Sequence, residues 1–448
     1  MIRGRVGYLS GTYPRATDTF VRREVEELRR LGVEVVTISV RRPGESELVG
    51  PEQRAEAQRT HYLLPANPFR LAGAHAACLL RSPGRYLRAL GLTLRGRGPG
   101  LGALARQLAY FAEAPLVVGL VRRHRVGHLH CTAAGSAGTV AMLASCLGAF
   151  GFSLAFHGEV FLEPRRWQLA EKAARARFCM CISGFTRAQA MLWSEPRDWE
   201  RLEVIRCGLP SDEVAPRAPH AGRARRFLFV GRLVRLKNLP MLLEAFAPLA
   251  AADPECRLDI VGDGPERAEL EGRAARLGLG GRVGFHGALA RAGVQRLLSE
   301  ADVFVMCSLS EGVPVVLMEA MAAGVPVIAP RLAGIPELVE EGRSGLLTTP
   351  ADPAALGAAM RRLAHDPDLR NRLAAAGREV VRAEYGLEAS ARRLAELFER
   401  ELGREARPSA RRAPSGAARD PAGGGQGAGA GRSGPVAPAV AHSGDPAQ

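Results

Sequence analysis

Short apolar runs alternate with amphipathic segments through most of this chain, and this alternation restricts the fold more than any other feature. RVGYLS (5–10) is strand-like, TFVRREVEELRRLG (19–32) has the apolar spacing of a helix ending at Gly32, and VEVVTISV (33–40) is strand-like again. A strand, a helix and a second strand in this order form a parallel pair with a right-handed crossover. The pattern predicts an α/β protein built on parallel sheets.

The same alternation continues in two halves. Further strands are predicted at 126–130, 152–156 and 180–183 in the first half, and at 227–231, 257–264, 282–287, 302–308, 326–330 and 345–349 in the second. Residues 65–125 are predicted to form arginine-rich helices. Residues 131–156 carry no charge over a length that could span a membrane, but Ala, Gly and Ser dominate them, so we predict a buried helix followed by a buried strand.

A proline-bearing, sparsely apolar stretch separates the halves, and 448 residues suffice for two domains with full-sized cores. We predict an amino-terminal Rossmann-like domain over 1–207, a linker over 208–226, a second Rossmann-like domain over 227–385 and a helix over 386–403. Residues 404–448 are rich in Ala, Gly, Pro, Arg and Ser and are predicted to be disordered. Ligands of such doubly wound domains bind at the carboxyl ends of the strands.

The charge of the chain is misleading as a guide to its partners. The formal net charge is +15, but of the 61 basic residues only Lys172 and Lys237 are lysines. A compositional bias toward arginine weakens the inference of nucleic-acid binding, and aromatic residues make up only 5%, so we expect no nucleic acid partner. The eight cysteines show no CxxC pair and the amino terminus lacks a signal-peptide pattern, which predicts reduced thiols and a cytoplasmic location.

One of the two lysines lies in FLFVGRLVRLKNLP (227–240), directly after a predicted strand. The loop from Gly231 through Arg232 to Lys237 leads into a helix, so backbone N–H groups and two cations can converge on one anion. This favours a site for a diphosphate. Two solvated cations at a helix start remain an equal alternative on these residues alone.

A second segment, EGVPVVLMEAMAAGVPVIAP (311–330), carries Glu311 and Glu319 eight positions apart. Gly312 and Pro314 shape a tight entry into a helix that is apolar on nearly every side, so a carboxylate at Glu319 needs partners. One carboxylate is suited to sugar hydroxyls and the other to ribose hydroxyls. A Glu319 that only solvates a helix face is the alternative.

These segments, together with VGDGPE (261–266) and AFHGEV (155–160), resemble the retaining glycosyltransferases of family 4, which have the two-domain GT-B fold. YPRATDTFVRREVEELRRLG (13–32) and IPELVEEGRSGLL (335–347) resemble more narrowly the branch that builds bacterial exopolysaccharides such as colanic acid. The resemblance covers about residues 5–400.

The resemblance implies a role for each site residue. Arg232 and Lys237 would clamp the diphosphate, Glu311 would touch the donor sugar and Glu319 the ribose, and His157 would lie close to the reacting sugar, with Gly158 letting its turn approach. The remaining donor contacts it implies are Gly11, Thr12, Gly231, Gly262, Phe285, His286, Gly312, Val313, Pro314 and Val315.

The chain departs from that pattern at Thr132, which stands in HLHCT where many relatives carry a histidine. It has no Asp-x-Asp motif, so no cofactor and no metal is expected, and the donor is expected to be a UDP- or GDP-sugar. The mechanism that the resemblance implies is front-face displacement, in which the leaving phosphate takes the acceptor's proton.

We therefore predict a hexosyltransferase that acts on a glycan or lipid-linked acceptor. A sugar-nucleotide epimerase or phosphorylase of the same fold, and a non-catalytic scaffold, are the alternatives. The arginine-rich helices leave two interpretations open with equal weight: peripheral contact with the anionic inner membrane face, and the solvated surface of an arginine-biased protein.

Overall fold

The computed structural model describes residues 4–15, 19–210 and 222–406. Two sheets, each entirely parallel, account for all of its named strands. We call the first sheet with its helices the amino lobe and the second sheet with its helices the carboxyl lobe. The α/β class is confirmed.

The amino lobe holds seven strands in the order β3-β2-β1-β4-β5-β6-β7. They are Arg5–Thr12 (β1), Glu34–Arg41 (β2), His61–Tyr62 (β3), Val126–Cys131 (β4), Gly151–Phe156 (β5), Cys179–Cys181 (β6) and Leu202–Val204 (β7). Its helices are Thr19–Arg30 (α1), Pro51–Arg59 (α2), Pro68–Arg81 (α3), Pro83–Arg95 (α4), Leu101–Arg123 (α5), Ser136–Gly148 (α6), Leu169–Arg175 (α7) and Gly184–Leu192 (α8).

The carboxyl lobe holds six strands in the order β10-β9-β8-β11-β12-β13. They are Arg226–Val230 (β8), Arg257–Val261 (β9), Val283–Phe285 (β10), Val303–Val305 (β11), Val327–Pro330 (β12) and Leu346–Thr348 (β13). Its helices are Leu239–Ala252 (α9), Arg267–Arg276 (α10), Arg291–Glu300 (α11), Val315–Ala322 (α12), Ile335–Leu338 (α13), Pro353–His365 (α14) and Pro367–Glu384 (α15), and Leu387–Ala406 (α16) follows.

Every strand predicted from the sequence is present, and so is the buried helix with its buried strand at α6 and β5. The helix predicted over 386–403 reaches Ala406. Most of the predicted linker and nearly all of the predicted tail lie outside the described residues. Where the linker is described, Leu209 exchanges backbone hydrogen bonds with Tyr385 (2.8 Å) and Leu387 (2.9 Å), so the two chain crossings between the lobes run side by side.

Helix α16 leaves the carboxyl lobe and packs on the amino lobe. Its Phe398 is fully buried and lies 6.1 Å from the ring of Tyr8, on β1, and 5.8 Å from that of His128, on β4. Helix α5 is long and apolar enough to cross a membrane, the one helix of the described ranges for which this holds, but 56% of its most apolar stretch is buried. Because it packs on α6 and β4, we interpret it as a core helix.

Candidate functional site

The strand order of each sheet reverses direction once, and both reversals are bordered by residues predicted for the site. In the carboxyl lobe the order turns between β8 and β11, which precede Lys237 and Glu311. In the amino lobe it turns between β1 and β4, which end at Thr12 and Cys131. Open α/β sheets bind ligands at the carboxyl ends of the strands beside such a reversal.

Lys237 and Glu311 form an ion pair through Nζ and Oε1. Their side chains are 19% and 11% exposed, so both charges lie at a partly covered surface. Lys237 ends a single helical turn, Arg235–Lys237, which passes into Asn238 in the left-handed region at φ 51°. Burial raises the pKa of the Cys307 thiol to about 12, so the thiol stays protonated and donates to the carbonyl of Lys237 at 3.0 Å.

The loops after β8 and β9 approach too closely for side chains. A Cβ on Gly262 would lie 1.9 Å from the carbonyl oxygen of Gly231, and Gly262 has a φ of +131°. The N–H of Gly231 donates to the carbonyl of Val261 at 2.9 Å, and that of Gly262 donates to the carbonyl of Gly287 at 2.8 Å. Glycine is therefore required at 262, where the two loops meet at the edge of the sheet. Arg232 lies on the same loop and is exposed.

The turn after β11 touches the amino lobe directly. A Cβ on Gly158 would lie 2.8 Å from the carbonyl oxygen of Glu311 and 2.9 Å from the nitrogen of Gly312. Val313 is buried and Pro314 immediately precedes α12, which begins at Val315. Glu311 and Gly312 of this turn thus form one of the contacts between the lobes, and glycine at 158 allows it.

His157 immediately precedes that contact and follows β5. Its Nε2 lies 3.0 Å from the carbonyl oxygen of Thr132, and because a carbonyl only accepts, Nε2 carries the hydrogen. The imidazole ring also packs against Phe20, with centroids 5.1 Å apart. The Thr132 hydroxyl lies 2.8 Å from that of Ser10. The histidine is therefore oriented by the loop after β4.

Glu319 accepts a hydrogen bond from Arg23 Nη2 at 2.8 Å. Arg23 lies on α1 of the amino lobe and is 3% exposed, while the Glu319 side chain is 19% exposed. The expectation that a carboxylate inside this apolar helix needs a partner is confirmed, and the partner comes from the opposite lobe. Its predicted role as a ribose ligand stays a prediction.

Four remaining predicted residues lie at strand ends nearby. Phe285 ends β10 and His286 follows it, with His286 Nε2 at 2.6 Å from Asp259 Oδ1. Gly11 and Thr12 end β1, and a Cβ on Gly11 would meet nothing within 4 Å. Among the residues described here, no group of three or more His, Cys, Asp or Glu side chains is placed to hold a metal ion.

Buried polar groups that no sequence pattern indicates as buried support the amino-lobe edge. Lys172 is fully buried on α7, and its Nζ donates to the carbonyls of Ala134 and, at 2.9 Å, Gly135. Burial lowers the pKa of Lys172 to about 7. His128 Nε2 and His130 Nδ1 lie 2.8 and 2.9 Å from the Ser153 hydroxyl.

A second carboxylate joins the lobes beside the site. Glu337 accepts from the backbone N–H groups of Gly184 (2.8 Å) and Phe185 (2.7 Å) at the first turn of α8. Ser183 caps this helix, with its hydroxyl accepting from the N–H of Thr186 at 3.1 Å. Arg23 and Glu337 both lie in segments that resemble the exopolysaccharide branch, but the sequence does not reveal their partners, because each meets its partner only when the lobes meet.

Known proteins resemble part of this chain and, at lower identity, most of its length. Residues 211–380 match the family model described as glycosyl transferases group 1. A putative colanic acid biosynthesis glycosyltransferase of Salmonella typhimurium is 33% identical over 208 residues, which cover 45% of this chain and 51% of that protein. An amylovoran biosynthesis glycosyltransferase of Erwinia amylovora is 28% identical over 421 residues, covering 88% of this chain and 99% of that protein. For the first relatives, the match spans about half their length.

Two solved structures share the architecture. HepE from Anabaena, in complex with UDP and glucose, has a TM-score of 0.66 at 19% identity and covers 88% of this chain and 99% of its own. A sucrose-phosphate synthase from Thermosynechococcus elongatus has a TM-score of 0.68 at 22% identity, covering 89% and 100%. The predicted GT-B fold is confirmed, and the chain carries a group 1 glycosyltransferase domain. The resemblance to exopolysaccharide-building relatives is confirmed as well.

Proposed function

We propose that this group 1 glycosyltransferase chain moves a hexose from a nucleotide diphosphate sugar to a glycan or lipid-linked acceptor, with retention of anomeric configuration. The observation that carries the proposal is the meeting of the Lys237–Glu311 pair with the His157–Gly158 turn. A cation and a carboxylate from one lobe thereby face an oriented histidine from the other. Donor and acceptor can be brought together between them.

The donor is held, in this proposal, mainly by the carboxyl lobe. Lys237 and Arg232 neutralise the charge that grows on the diphosphate as the bond from the anomeric carbon to the phosphate oxygen breaks. Glu311 accepts hydrogen bonds from hydroxyls of the sugar, and Glu319 from those of the ribose. The backbone near Phe285 and His286 meets the base, and Gly231, Gly262 and Gly11 let the chain approach the phosphates.

The transfer step needs no second carboxylate beside the sugar. The acceptor oxygen attacks the anomeric carbon from the face that the phosphate leaves, and its proton passes to the departing phosphate oxygen. His157 has its Nε2 hydrogen committed to the carbonyl of Thr132, which suits it to orient and stabilise the reacting sugar rather than to remove a proton. No metal is required to neutralise the diphosphate in this scheme.

The relatives support an acceptor in cell-surface polysaccharide synthesis. Two of them carry printed roles in colanic acid and amylovoran biosynthesis, and HepE was solved with UDP and glucose. These roles belong to those proteins, and they favour a UDP-hexose donor and a glycan or lipid-linked acceptor here. We propose a cytoplasmic enzyme that meets such an acceptor at the inner membrane face.

A panel of UDP- and GDP-hexoses tests the proposal directly. Nucleotide release by the purified chain in the presence of EDTA is measured for each donor, and the anomer of any product is read by NMR. We expect release from at least one α-linked donor without added metal, and an α-linked product. A β-linked product, or activity restored only by a divalent ion, would contradict the mechanism.

Glu311→Gln separates catalysis from binding. The substitution removes the ionised acceptor but keeps the shape, so release is expected to fall while the protein stays folded. Glu379→Gln serves as the matched control because Glu379 is an exposed carboxylate in a helical ion pair on α15, far along the chain from the site. Binding of a sugar nucleotide without any release by the unaltered chain would favour the scaffold alternative.

A further inference from the structure

The most exposed apolar side chains of the described residues are concentrated in one part of the amino lobe. Thirteen large hydrophobic residues are exposed, and seven of them lie between residues 69 and 108, on α3, α4 and the start of α5. Phe69, Leu101 and Leu80 are the three most exposed, at 86%, 85% and 82%. Large exposed apolar patches of a protein surface commonly mark interaction sites.

Helix α3 contributes an entire apolar face. Phe69, Gly73, Ala76 and Leu80 follow one another at helical spacing, and all four are exposed. On the other side, Cys78 is buried toward the core. The only charged residues of α3 are arginines at its two ends, Arg70 and Arg81.

The same region is positively charged without any compensation. No acidic residue occurs from 61 to 112. Its arginines are all exposed, and none forms an ion pair within the part of the chain that the structure describes. They are Arg70, Arg81, Arg85, Arg88, Arg95, Arg97 and Arg106. Several exposed arginines elsewhere pair with carboxylates, as Arg166 does with Glu163.

We propose that α3, α4 and the start of α5 form a docking surface for an anionic phospholipid bilayer. Exposed Leu and Phe side chains enter the boundary between headgroups and acyl chains, while guanidinium groups contact lipid phosphates. A second copy of this chain fits less well, because an isologous dimer would bring the same uncompensated arginines together. Single-stranded nucleic acid would need stacking aromatics, and Phe69 is the only aromatic side chain among the seven exposed hydrophobics.

This surface contacts the loop that begins at the site residue His157. Gly96 lies between α4 and α5, and its carbonyl accepts from Gln168 Nε2 at 2.8 Å. Gln168 is the last residue of the loop between β5 and α7, and His157 is the first. If the proposed function holds, the docked surface would bring the cleft to a lipid-linked acceptor. The binding itself does not depend on that function.

Cosedimentation with vesicles tests the proposal without donor or acceptor. Vesicles of phosphatidylcholine are compared with vesicles that also contain phosphatidylglycerol, over a series of salt concentrations. We expect binding only to the anionic vesicles, weakening as salt rises. Changing Arg85, Arg88 and Arg95 together to Glu is expected to lower the partition coefficient by about tenfold or more, since each basic residue near an anionic surface contributes.

Two control variants match these changes on other surfaces. Arg361, Arg372 and Arg378, exposed on α14 and α15, are changed together to Glu, which alters the net charge equally. A second docking-surface variant carries both Phe69→Ser and Leu80→Ser. Its control is Leu192→Ser on α8, where Leu192 is 74% exposed. The docking-surface variants should lose binding and the controls should retain it, with melting temperatures close to that of the unaltered chain.

Three results would overturn the proposal. They are equal binding to neutral and anionic vesicles, no binding to either, and equal loss in the docking-surface and control variants. A change in self-association of the docking-surface variants by sedimentation velocity, with vesicle binding unchanged, would assign the surface to a second copy instead. Nucleotide release without acceptor should be the same in all variants, so a failure here is distinguishable from a failure of the proposed function.

Discussion

The two lysines of this chain lie beside the carboxyl ends of the two sheets, and the lobes use them in opposite ways. Lys237 of the carboxyl lobe is partly exposed and paired with the carboxylate of Glu311. Lys172 of the amino lobe is fully buried and bound to backbone carbonyls of Ala134 and Gly135. In the proposed function the carboxyl lobe presents charge to the donor, whereas the amino lobe uses its lysine to hold a loop.

The sharpest difference is expected in turnover. Lys237→Ala should lower kcat by about 10²–10³-fold, the range for removing one group that stabilises developing negative charge. The fold should persist, because the pair lies at a partly exposed surface. Initial rates of nucleotide release and the far-UV circular dichroism spectrum check both statements. Full activity in the variant would refute the role of Lys237 in binding the diphosphate.

One added methyl group at Gly158 tests the contact between this residue and the turn at Glu311. Gly158→Ala places a Cβ within 3 Å of the Glu311 backbone, so the lobes must separate slightly. Displacement of a catalytic group by about 1 Å can reduce turnover by about 100-fold, and we expect a loss of up to that size. Gly119→Ala on α5 is the control, since a Cβ there meets nothing within 4 Å. Equal activity of the two variants would refute a tight contact.

For the free energy of unfolding, we expect the larger effect at Lys172 and the smaller one at Lys237. Lys172→Met leaves two buried carbonyls without their donor, which should reduce the free energy of unfolding by about 1–3 kcal/mol. Lys237→Met should change it little. Urea denaturation followed by fluorescence measures both. An unchanged midpoint for Lys172→Met would show that water or neighbouring groups replace the ammonium.

The smallest expected effect is a pH dependence confined to the amino lobe. Burial lowers the pKa values of His128 and His130 to about 3, whereas unfolded histidine titrates near 6.5. Between those values the unfolded chain binds more protons, so both histidines make stability fall as pH falls from 6.5 toward 3. Burial raises the pKa of Glu24 to about 7, which opposes this trend for one proton between about 4.5 and 7.

The histidine contribution can be isolated by substitution. Changing His128 and His130 together to Asn should flatten the acid-side loss of stability, while His365→Asn, at an exposed helix end, should leave the slope unchanged. Urea midpoints between pH 7 and pH 5 provide the measurement. Parallel slopes for the double variant and the unaltered chain would mean that other groups cause the acid sensitivity.

The lobes also differ in how far the sequence predicts them. The Lys237–Glu311 pair was foreseeable because each residue lies in a short segment that directly follows a strand. The packing of α16 and the buried histidines on the amino lobe could not be foreseen. The residues that meet there come from separate parts of the chain: Tyr8, His128, Ser153, Phe178 and Phe398. Their neighbourhood exists only after the sheet and α16 have assembled.

The features that the sequence did not predict are of two kinds: very short strands and contacts between the lobes. Strands β3 and β7 hold two and three residues, too few to show alternation in the sequence. The partners Arg23–Glu319 and Glu337–Gly184 form between lobes, and no spacing within one segment encodes them. Helices and strands could therefore be predicted along the chain, while contacts that depend on the arrangement of the lobes could not.

A crystal structure with a bound nucleoside diphosphate, grown in the presence of EDTA, tests the central claim most directly. The account predicts the diphosphate between the Gly231–Lys237 loop and the Glu311 turn, with Lys237 Nζ and the Arg232 guanidinium about 3 Å from its oxygens. A diphosphate bound elsewhere, or one that leaves both cations pointing to solvent, would contradict it.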